Sequence, residues 1–269
     1  MNLALNKIDQ AIQCARLVPD DTWYLSHGLM GKATFLLPMG NYNAVQQIAA
    51  EDLPLCKERG DRNLASYHWV RLARIALHEG KYDQSRKFSH QTLAFAQDVK
   101  HRRLEAFQYL NLGQISLAEG NLPEAVTLLK DTVAISIDGH SLDVLVEAHL
   151  SLRDVYLELA QHDLATNSFH YAANLCLELN WTQHAPAVLE RLASQSWQQA
   201  PDNLDVVRWL AAADSWRKEA NIPRPSPDQI RVDKLLKELQ RQIPEATLTS
   251  LWQVGTSLSP NEALSGAVL

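Results

Sequence analysis

The middle of the amino-acid sequence repeats itself every 40 residues. Trp69, Tyr109 and His149 occupy one position of the repeat, and a leucine follows each of them three residues later. Gly80 and Gly120 share a second position. A unit of this length cannot bury its apolar face alone, so successive units must stack against one another. The repeat therefore predicts an array of stacked units, which favours a binding surface over an active site.

Each unit has the pattern of two amphipathic helices joined by a turn, because apolar residues recur at helical spacing on both sides of a break. In the unit at 102–140, Gly120 can adopt the left-handed conformation that ends a helix, and Pro123 suits the first turn of the next. Gly113 and Ala125 are small where the two helices must approach closely. We name the first helix of each unit the A helix and the second the B helix.

The order of aromatic, leucine, glycine and alanine residues resembles the tetratricopeptide repeat. Two sets of positions carry the resemblance: Trp69, Leu72, Ala73, Gly80, Tyr82 and Ser85, and then Leu152, Tyr156, Ala165, Phe169 and Ala172. The resemblance implies an all-α fold, a right-handed superhelical solenoid of tetratricopeptide-like helix pairs with a C-terminal helical cap. It also implies a non-enzymatic role in binding a protein or a peptide.

Two features depart from the usual repeat. The usual length is about 34 residues, and the additional residues here follow Thr92, Thr132 and Ala172, which predicts an extended B helix and a longer loop between units. Arg153 stands where other units have small residues. We therefore expect the Arg153 side chain to point along the groove rather than into the packing.

The repeat also predicts how the chain is divided. Residues 1–200 form the repeat array and residues 201–269 a C-terminal helical capping region, in which Ser259 and Glu262 form a capping-box pattern. The units lie near 1–20 (partial), 22–60, 62–100, 102–140, 142–180 and 182–200 (degenerate). Because the partial unit resembles a B helix without its A helix, we expect the chain to be part of a longer array.

The C-terminal region has a narrower resemblance. Residues 208–214, the turn at 222–225 and residues 251–259 are similar to the C-terminal ends of large bacterial signalling ATPases and LuxR-type transcriptional regulators. In those proteins the repeats are thought to sense an inducer or a partner, and the ATPase and output domains precede them. The resemblance implies a role in signal transduction or transcription regulation, although this sequence contains no phosphate-binding loop and no helix-turn-helix pattern.

Composition and charge argue against several classes of partner. A net charge of -6 and a pI near 5.9 disfavour direct nucleic-acid contact, which needs a basic face. We interpret the basic cluster at 100–103 as a solvated loop between helices. The odd number of widely spaced cysteines favours a reducing cytoplasm over a disulfide framework. No window reaches the ~18 apolar residues of a membrane-spanning helix.

No motif for catalysis, a cofactor or a metal is found. Residues 26–34 superficially resemble a phosphate-binding loop, but Ser26 replaces the first glycine and Ala33 replaces the residue that would hold magnesium. We interpret these small residues as a helix crossing. None of the histidines forms a His-Glu-x-x-His metal pattern. The sequence therefore predicts no catalytic residue, cofactor or metal site.

The candidate ligand site is the concave face of the array. If the A helices line this face, its polar side chains come from three successive units: Tyr67, Arg71, Arg74 and His78, then Asn111 and Gln114, then Glu147, Asp154 and Glu158. Such a groove would be basic at one end and acidic at the other, which could orient an extended peptide. Three alternatives stay open: a merely solvated face, a free-standing receptor for a short signalling peptide, and a helical enzyme with a groove active site.

Overall fold

The structure is a computed structural model that describes residues 2–18, 22–179, 184–220, 222, 224 and 226–268. All regular structure in these ranges is α-helical. The helices are α1 (Asn2–Arg16), α2 (Thr22–Leu36), α3 (Tyr42–Arg59), α4 (Arg62–His78), α5 (Tyr82–Asp98), α6 (Arg102–Ala118), α7 (Leu122–Asp138), α8 (Leu142–Glu158), α9 (His162–Glu178), α10 (Ala185–Gln199), α11 (Asp205–Ala220), α12 (Ser226–Gln242), α13 (Glu245–Thr256) and α14 (Pro260–Val268). The predicted all-α solenoid of helix pairs is confirmed.

Every connection in the middle of the array has the same geometry. Helices α4 to α9 are 17 residues long, and a residue with positive φ stands at every twentieth position from Gly40 to Ala160. The turns close with the same hydrogen bond, from Lys81 N to Ala76 O and from His101 N to Ala96 O, both 2.8 Å. This is the bond of the Schellman motif, which satisfies carbonyls that a helix end leaves free.

The predicted longer loop between units is therefore wrong. The turns at 99–101 and 139–141, between units, are as short as those at 79–81 and 119–121, within units. The additional residues lengthen the helices instead, because a Schellman turn needs only three residues whichever helices it joins. The B helix is long, as predicted, and the A helix matches it.

The two helices of a unit cross closely where the sequence has small residues. A methyl group added at Gly113 of α6 would lie 2.8 Å from Leu129 Cγ of α7, well inside van der Waals contact. Ala125 and Leu129 are fully buried at this crossing. The predicted pairing of small and large side chains is thus confirmed, and it sets the spacing of the helix pair.

At the N-terminal end, α1 packs on α2 and α2 packs on α3. Residues 26–34 lie inside α2 and not in a loop, so they have no phosphate-binding geometry. Ile12, Leu29, Val45 and Ile75 form the core of this end of the array.

The C-terminal helices fold back onto the last repeat unit. Helix α11 packs between α10 and α13, and α14 returns to contact α9 and α10. One hydrophobic core extends from Val146 to Leu264, so it crosses the predicted boundary at residue 200. The capping box is confirmed at α14, where Ser259 N donates to Glu262 Oε2 at 2.8 Å and Glu262 N donates to Ser259 Oγ at 3.4 Å.

Arg153 does not point along the groove. Its side chain is 3% exposed and lies between α8 and α10, where it donates to Gln195 Oε1 at 3.2 Å and to Arg191 O at 2.8 Å. Asp154 accepts a further hydrogen bond from it at 2.6 Å. A long polar side chain is tolerated in the packing here because α10 supplies acceptors for its guanidinium.

Candidate functional site

The A helices surround a cavity of about 630 Å³. Helices α2, α4, α6 and α8 form most of its wall, and α3 and the C-terminal region close it. The lining residues are Thr34, Leu37, Pro38, Tyr42, Tyr67, Val70, Arg71, Arg74, His78, His101, Arg103, Leu104, Phe107, Asp143, Glu147, His184, Arg217 and Ile222.

The repeat register explains which side chains reach this cavity. Tyr67, Phe107 and Glu147 occupy equivalent positions of α4, α6 and α8, 40 residues apart, and all three line it. Thr34 of α2 is likewise the equivalent of Arg74 of α4. Because stacked units repeat the same orientation, one inward position in a unit predicts the inward position in the next. This register could have identified Thr34 and Phe107 from the sequence.

Arg74 and Glu147 face each other across the cavity. Arg74 Nη2 lies 3.1 Å from Glu147 Oε1 and 3.3 Å from Oε2, although the residues are 73 positions apart. Burial raises the pKa of Glu147, but the positive charges of Arg74 and Arg191 oppose it, and that pKa lies below its usual value. The basic and acidic side chains therefore meet, whereas the sequence placed them at opposite ends of a groove.

Asn111 and Gln114 use their amides within the packing. Asn111 Nδ2 donates to Ser85 Oγ and Ser89 Oγ of α5, each at 2.8 Å. Gln114 Nε2 donates to Ser151 Oγ of α8 at 3.1 Å. Both residues line a small pocket that also contacts Arg74 and Glu147. They are close to the main cavity, but their hydrogen bonds hold neighbouring helices together.

Asp154 and Glu158 lie away from the cavity. Three arginines surround Asp154: Arg153 at 2.6 Å, Arg191 at 3.3 Å and Arg231 at 3.8 Å. Burial raises the pKa of Asp154, but the arginines outweigh it and lower that pKa. Glu158 is exposed at the end of α8. The structure therefore brings Tyr67, Arg71, Arg74, His78 and Glu147 together and leaves these two acidic residues outside.

Two cavity histidines are neutral at physiological pH. His78 stacks on Tyr42 with ring centroids 5.7 Å apart, and burial, with the charge of Arg74, lowers its pKa to about 4. Burial also lowers the pKa of His184. Since imidazole is uncharged above its pKa, these rings act as hydrogen-bonding groups rather than as cations.

The basic cluster at 100–103 is not simply a solvated loop. Arg102 Nε donates to Asp138 Oδ2 at 2.7 Å, and Arg103 Nη2 donates to Asp143 Oδ2 at 2.6 Å. The first ion pair joins the two helices of one unit, the second joins neighbouring units, and Arg103 also lines the cavity. Sequence reasoning missed this because the acidic partners lie about one unit further along the chain.

A serine, an aspartate and a histidine meet elsewhere, in the N-terminal core. Asp52 contacts Ser26 Oγ through Oδ1, and its Oδ2 lies 2.7 Å from His68 Nε2. All three are fully buried. The aspartate stands between the other two, so the histidine cannot take a proton from the serine as a catalytic triad requires. No group of three or more metal-binding side chains occurs within the described ranges.

Comparison with known proteins agrees with the geometry. Residues 63–138 match the family model of the tetratricopeptide repeat. This segment contains a tetratricopeptide-type repeat. It holds almost all of α4 to α7 and includes Tyr67, Arg71, Arg74 and His78 of the cavity wall. Tetratricopeptide repeats are typically non-catalytic scaffolds that mediate protein binding. A search of curated proteins found no match. Separately, no helix in the described ranges is long and apolar enough to cross a bilayer.

Proposed function

We propose that this chain is a non-enzymatic scaffold or sensor module that binds a protein or peptide segment in the cavity formed by its A helices. The observation that carries the proposal is the cavity itself, which lies on the inner side of the tetratricopeptide-type repeat. Its volume of about 630 Å³ can accommodate several side chains of a bound segment.

The wall combines the two kinds of surface that peptide recognition needs. Tyr67 and Phe107 offer aromatic faces for an apolar side chain. Arg74 and Glu147 offer a donor and an acceptor, and both keep part of their side chains exposed, 41% and 22% respectively. An extended peptide presents main-chain carbonyl and N–H groups that can pair with them.

The proposal predicts that binding depends on Arg74. A random peptide library would first be screened against the wild-type chain, and the affinities of selected peptides then measured for Arg74→Ala. We expect a loss of about tenfold or more, because a charge-assisted hydrogen bond is worth about 1.5–3 kcal/mol.

Arg86→Ala is the matched control, since Arg86 forms an equivalent exposed ion pair with Glu119 at 2.6 Å but does not line the cavity. Equal affinities for both variants would contradict binding in the cavity. Asn111→Ala is a poor test, because it removes two interhelical hydrogen bonds as well.

For the wider setting, we propose the repeat region of a cytoplasmic, bacterial signal-transduction or transcription-regulating ATPase. The similarity of residues 208–214 and 251–259 to the ends of such proteins supports this. The test is the genomic sequence upstream of Met1. A nucleotide-binding domain in the same reading frame would support the proposal, and a stop codon there would favour a free-standing receptor for a short signalling peptide.

A further inference from the structure

The cavity contains a second feature, a buried guanidinium at Arg71 of α4. Arg71 is 8% exposed, yet it lines the cavity. Its Nη1 donates to Tyr67 O at 3.0 Å, one turn earlier on the same helix, and its Nη2 donates to Thr34 Oγ1 of α2 at 2.6 Å. Both acceptors are uncharged. A guanidinium has five N–H donors, so these two bonds leave part of its capacity unused.

Arg71 differs from the other arginines of the cavity wall, because each of those has a carboxylate partner. The pairs are Arg74 with Glu147 at 3.1 Å, Arg103 with Asp143 at 2.6 Å and Arg217 with Glu190 at 2.7 Å. Within the described part of the chain, Arg71 forms no ion pair. Arg71 therefore places a buried positive charge in the cavity wall without a counter-ion among the described residues.

The repeat register accounts for this difference. Asn111 is the equivalent of Arg71 in the next unit, and its amide is satisfied by Ser85 and Ser89 of the preceding B helix. The positions equivalent to those serines in α3 are Val45 and Ala49, which have no side-chain acceptor. Helix α3 thus offers Arg71 no equivalent acceptor, and its guanidinium is hydrogen-bonded instead to Tyr67 and Thr34, which line the cavity.

A buried cation of this kind is energetically unfavourable. Burial lowers the pKa of Arg71 to about 10, which still leaves it protonated at neutral pH. A charge removed from water without an opposite charge nearby costs free energy, and an anion beside it recovers part of that cost. Binding an anion in the cavity would therefore be favoured by the charge distribution already present.

The rest of the wall limits what that anion can be. Asp143 and Glu147 also line the cavity, so a multiply charged group such as a phosphate dianion would meet repulsion. Val70, Leu104 and Phe107 offer an apolar surface beside these charges. A single negative charge attached to an apolar body fits both conditions, and the cavity volume is that of a typical small-molecule site.

We propose that this cavity binds an organic monocarboxylate, with the carboxylate on Arg71 and the apolar body against Val70 and Phe107. The planar guanidinium matches a carboxylate with two parallel hydrogen bonds. The site goes beyond the proposed binding of a protein or peptide and does not require it. The carboxylate bound at Arg71 can belong to a free acid or to the C-terminal residue of a peptide.

The first experiment compares 3-phenylpropanoate with its neutral analogue 3-phenylpropanamide at constant ionic strength. Thermal unfolding and titration calorimetry of the full chain are expected to show saturable binding and a raised Tm with the acid only. Equal responses to the acid and the amide, or no response to either, would overturn the carboxylate site.

Variants at Arg71 then test the anchor. Arg71→Met should keep or raise the Tm of the ligand-free protein, because it removes a buried charge, and should weaken acid binding about tenfold or more. Arg71→Lys retains the charge without the planar pair of donors and should bind with intermediate affinity. Arg86→Met is the control and should bind like the wild type. Unchanged binding in Arg71→Met would contradict the proposal, and if that variant failed to fold, unchanged binding in Arg71→Lys would do so.

A final comparison identifies the source of the carboxylate. A tetrapeptide ending in phenylalanine is measured with a free and with an amidated C-terminus. Preference for the free C-terminus, lost in Arg71→Met, would support a peptide carboxylate, and binding of phenylpropanoate alone would support a free acid. Peptide binding that depends on Arg74 but is indifferent to amidation and to Arg71, together with no binding of phenylpropanoate, would overturn this site and leave the peptide-binding function standing.

Discussion

At the residue scale, the buried polar cluster around Asp52 is the feature that the repeat pattern least explains. The two carboxylate oxygens of Asp52 contact Ser26 and His68. Arg59 Nη2 donates a hydrogen bond to Ser26 Oγ at 2.7 Å. Burial raises the pKa of Asp52, but the hydrogen bonds from His68 and Ser26 outweigh it and lower that pKa. The cluster joins α2, α3 and α4 inside an otherwise apolar core.

Asp52→Asn should destabilise the protein by about 3 kcal/mol at pH 7, because it removes the charged acceptor from a buried network. A carboxyl whose pKa is lower in the folded state stabilises the fold above its unfolded pKa of about 4, and this contribution is lost as the pH falls through the folded pKa. The difference between wild type and variant should therefore shrink in acid.

Urea unfolding between pH 3 and pH 8 measures this difference. Asp131→Asn, at an exposed position of α7, is the control and should follow the wild type throughout. A pH-independent difference for Asp52→Asn would show that the cluster acts through packing and not through charge.

At the element scale, the turns decide how the helices are spaced. Glycine occupies the positive-φ position at Gly60, Gly80 and Gly120, but the equivalent positions hold other residues at Lys100, His140 and Ala160. A side chain in this conformation is strained by about 1–2 kcal/mol. These turns still form because the helices on both sides are held by packing.

Ala160→Gly should consequently stabilise the protein by a few tenths of a kcal/mol up to about 1 kcal/mol, since relief of strain exceeds the added backbone entropy of glycine. The same substitution at Ala134, an exposed position inside α7, should destabilise the protein by about 1 kcal/mol. Thermal unfolding of the two variants should shift Tm in opposite directions. A decrease in both would mean that the turn at residue 160 does not limit stability.

At the scale of the whole molecule, a charged cluster joins the repeat array to the C-terminal helices. Glu190 of α10 is 2% exposed and accepts hydrogen bonds from Arg217 Nε at 2.7 Å and Arg224 Nε at 2.9 Å. Around it, the core from Val146 to Leu264 is continuous. Nearby, a methyl group at Gly255 of α13 would lie only 2.4 Å from Arg208 O of α11, so these helices touch backbone to backbone.

Glu190→Ala should destabilise the protein by about 3–5 kcal/mol, because it removes the buried carboxylate that two buried guanidinium groups share. Since the core is shared, hydrogen exchange should accelerate in α8 to α10 as well as in α11. The control Glu178→Ala, exposed in α9, should leave exchange unchanged. Acceleration confined to α11 and later helices would indicate that the C-terminal region unfolds on its own.

The sequence by itself determined the local structure. The helices, the left-handed turn at Gly120, the close crossing at Gly113 and the capping box at Ser259 all depend on residues within a few positions or within one unit. The repeat register also identified the A helices that carry Tyr67, Arg71, Arg74 and His78. Such signals can be predicted because helix periodicity and turn conformation are set by short-range interactions.

Only the tertiary structure decided which distant side chains meet. Arg74 pairs with Glu147, Arg153 is buried against α10, and Arg217 closes the cavity from outside the repeats. These contacts depend on the curvature of the array, which is the sum of small rotations between units. No single unit encodes that sum. The sequence could therefore indicate the inner face, but not that Arg74 and Glu147 pair across it while Arg71 has no carboxylate partner among the described residues.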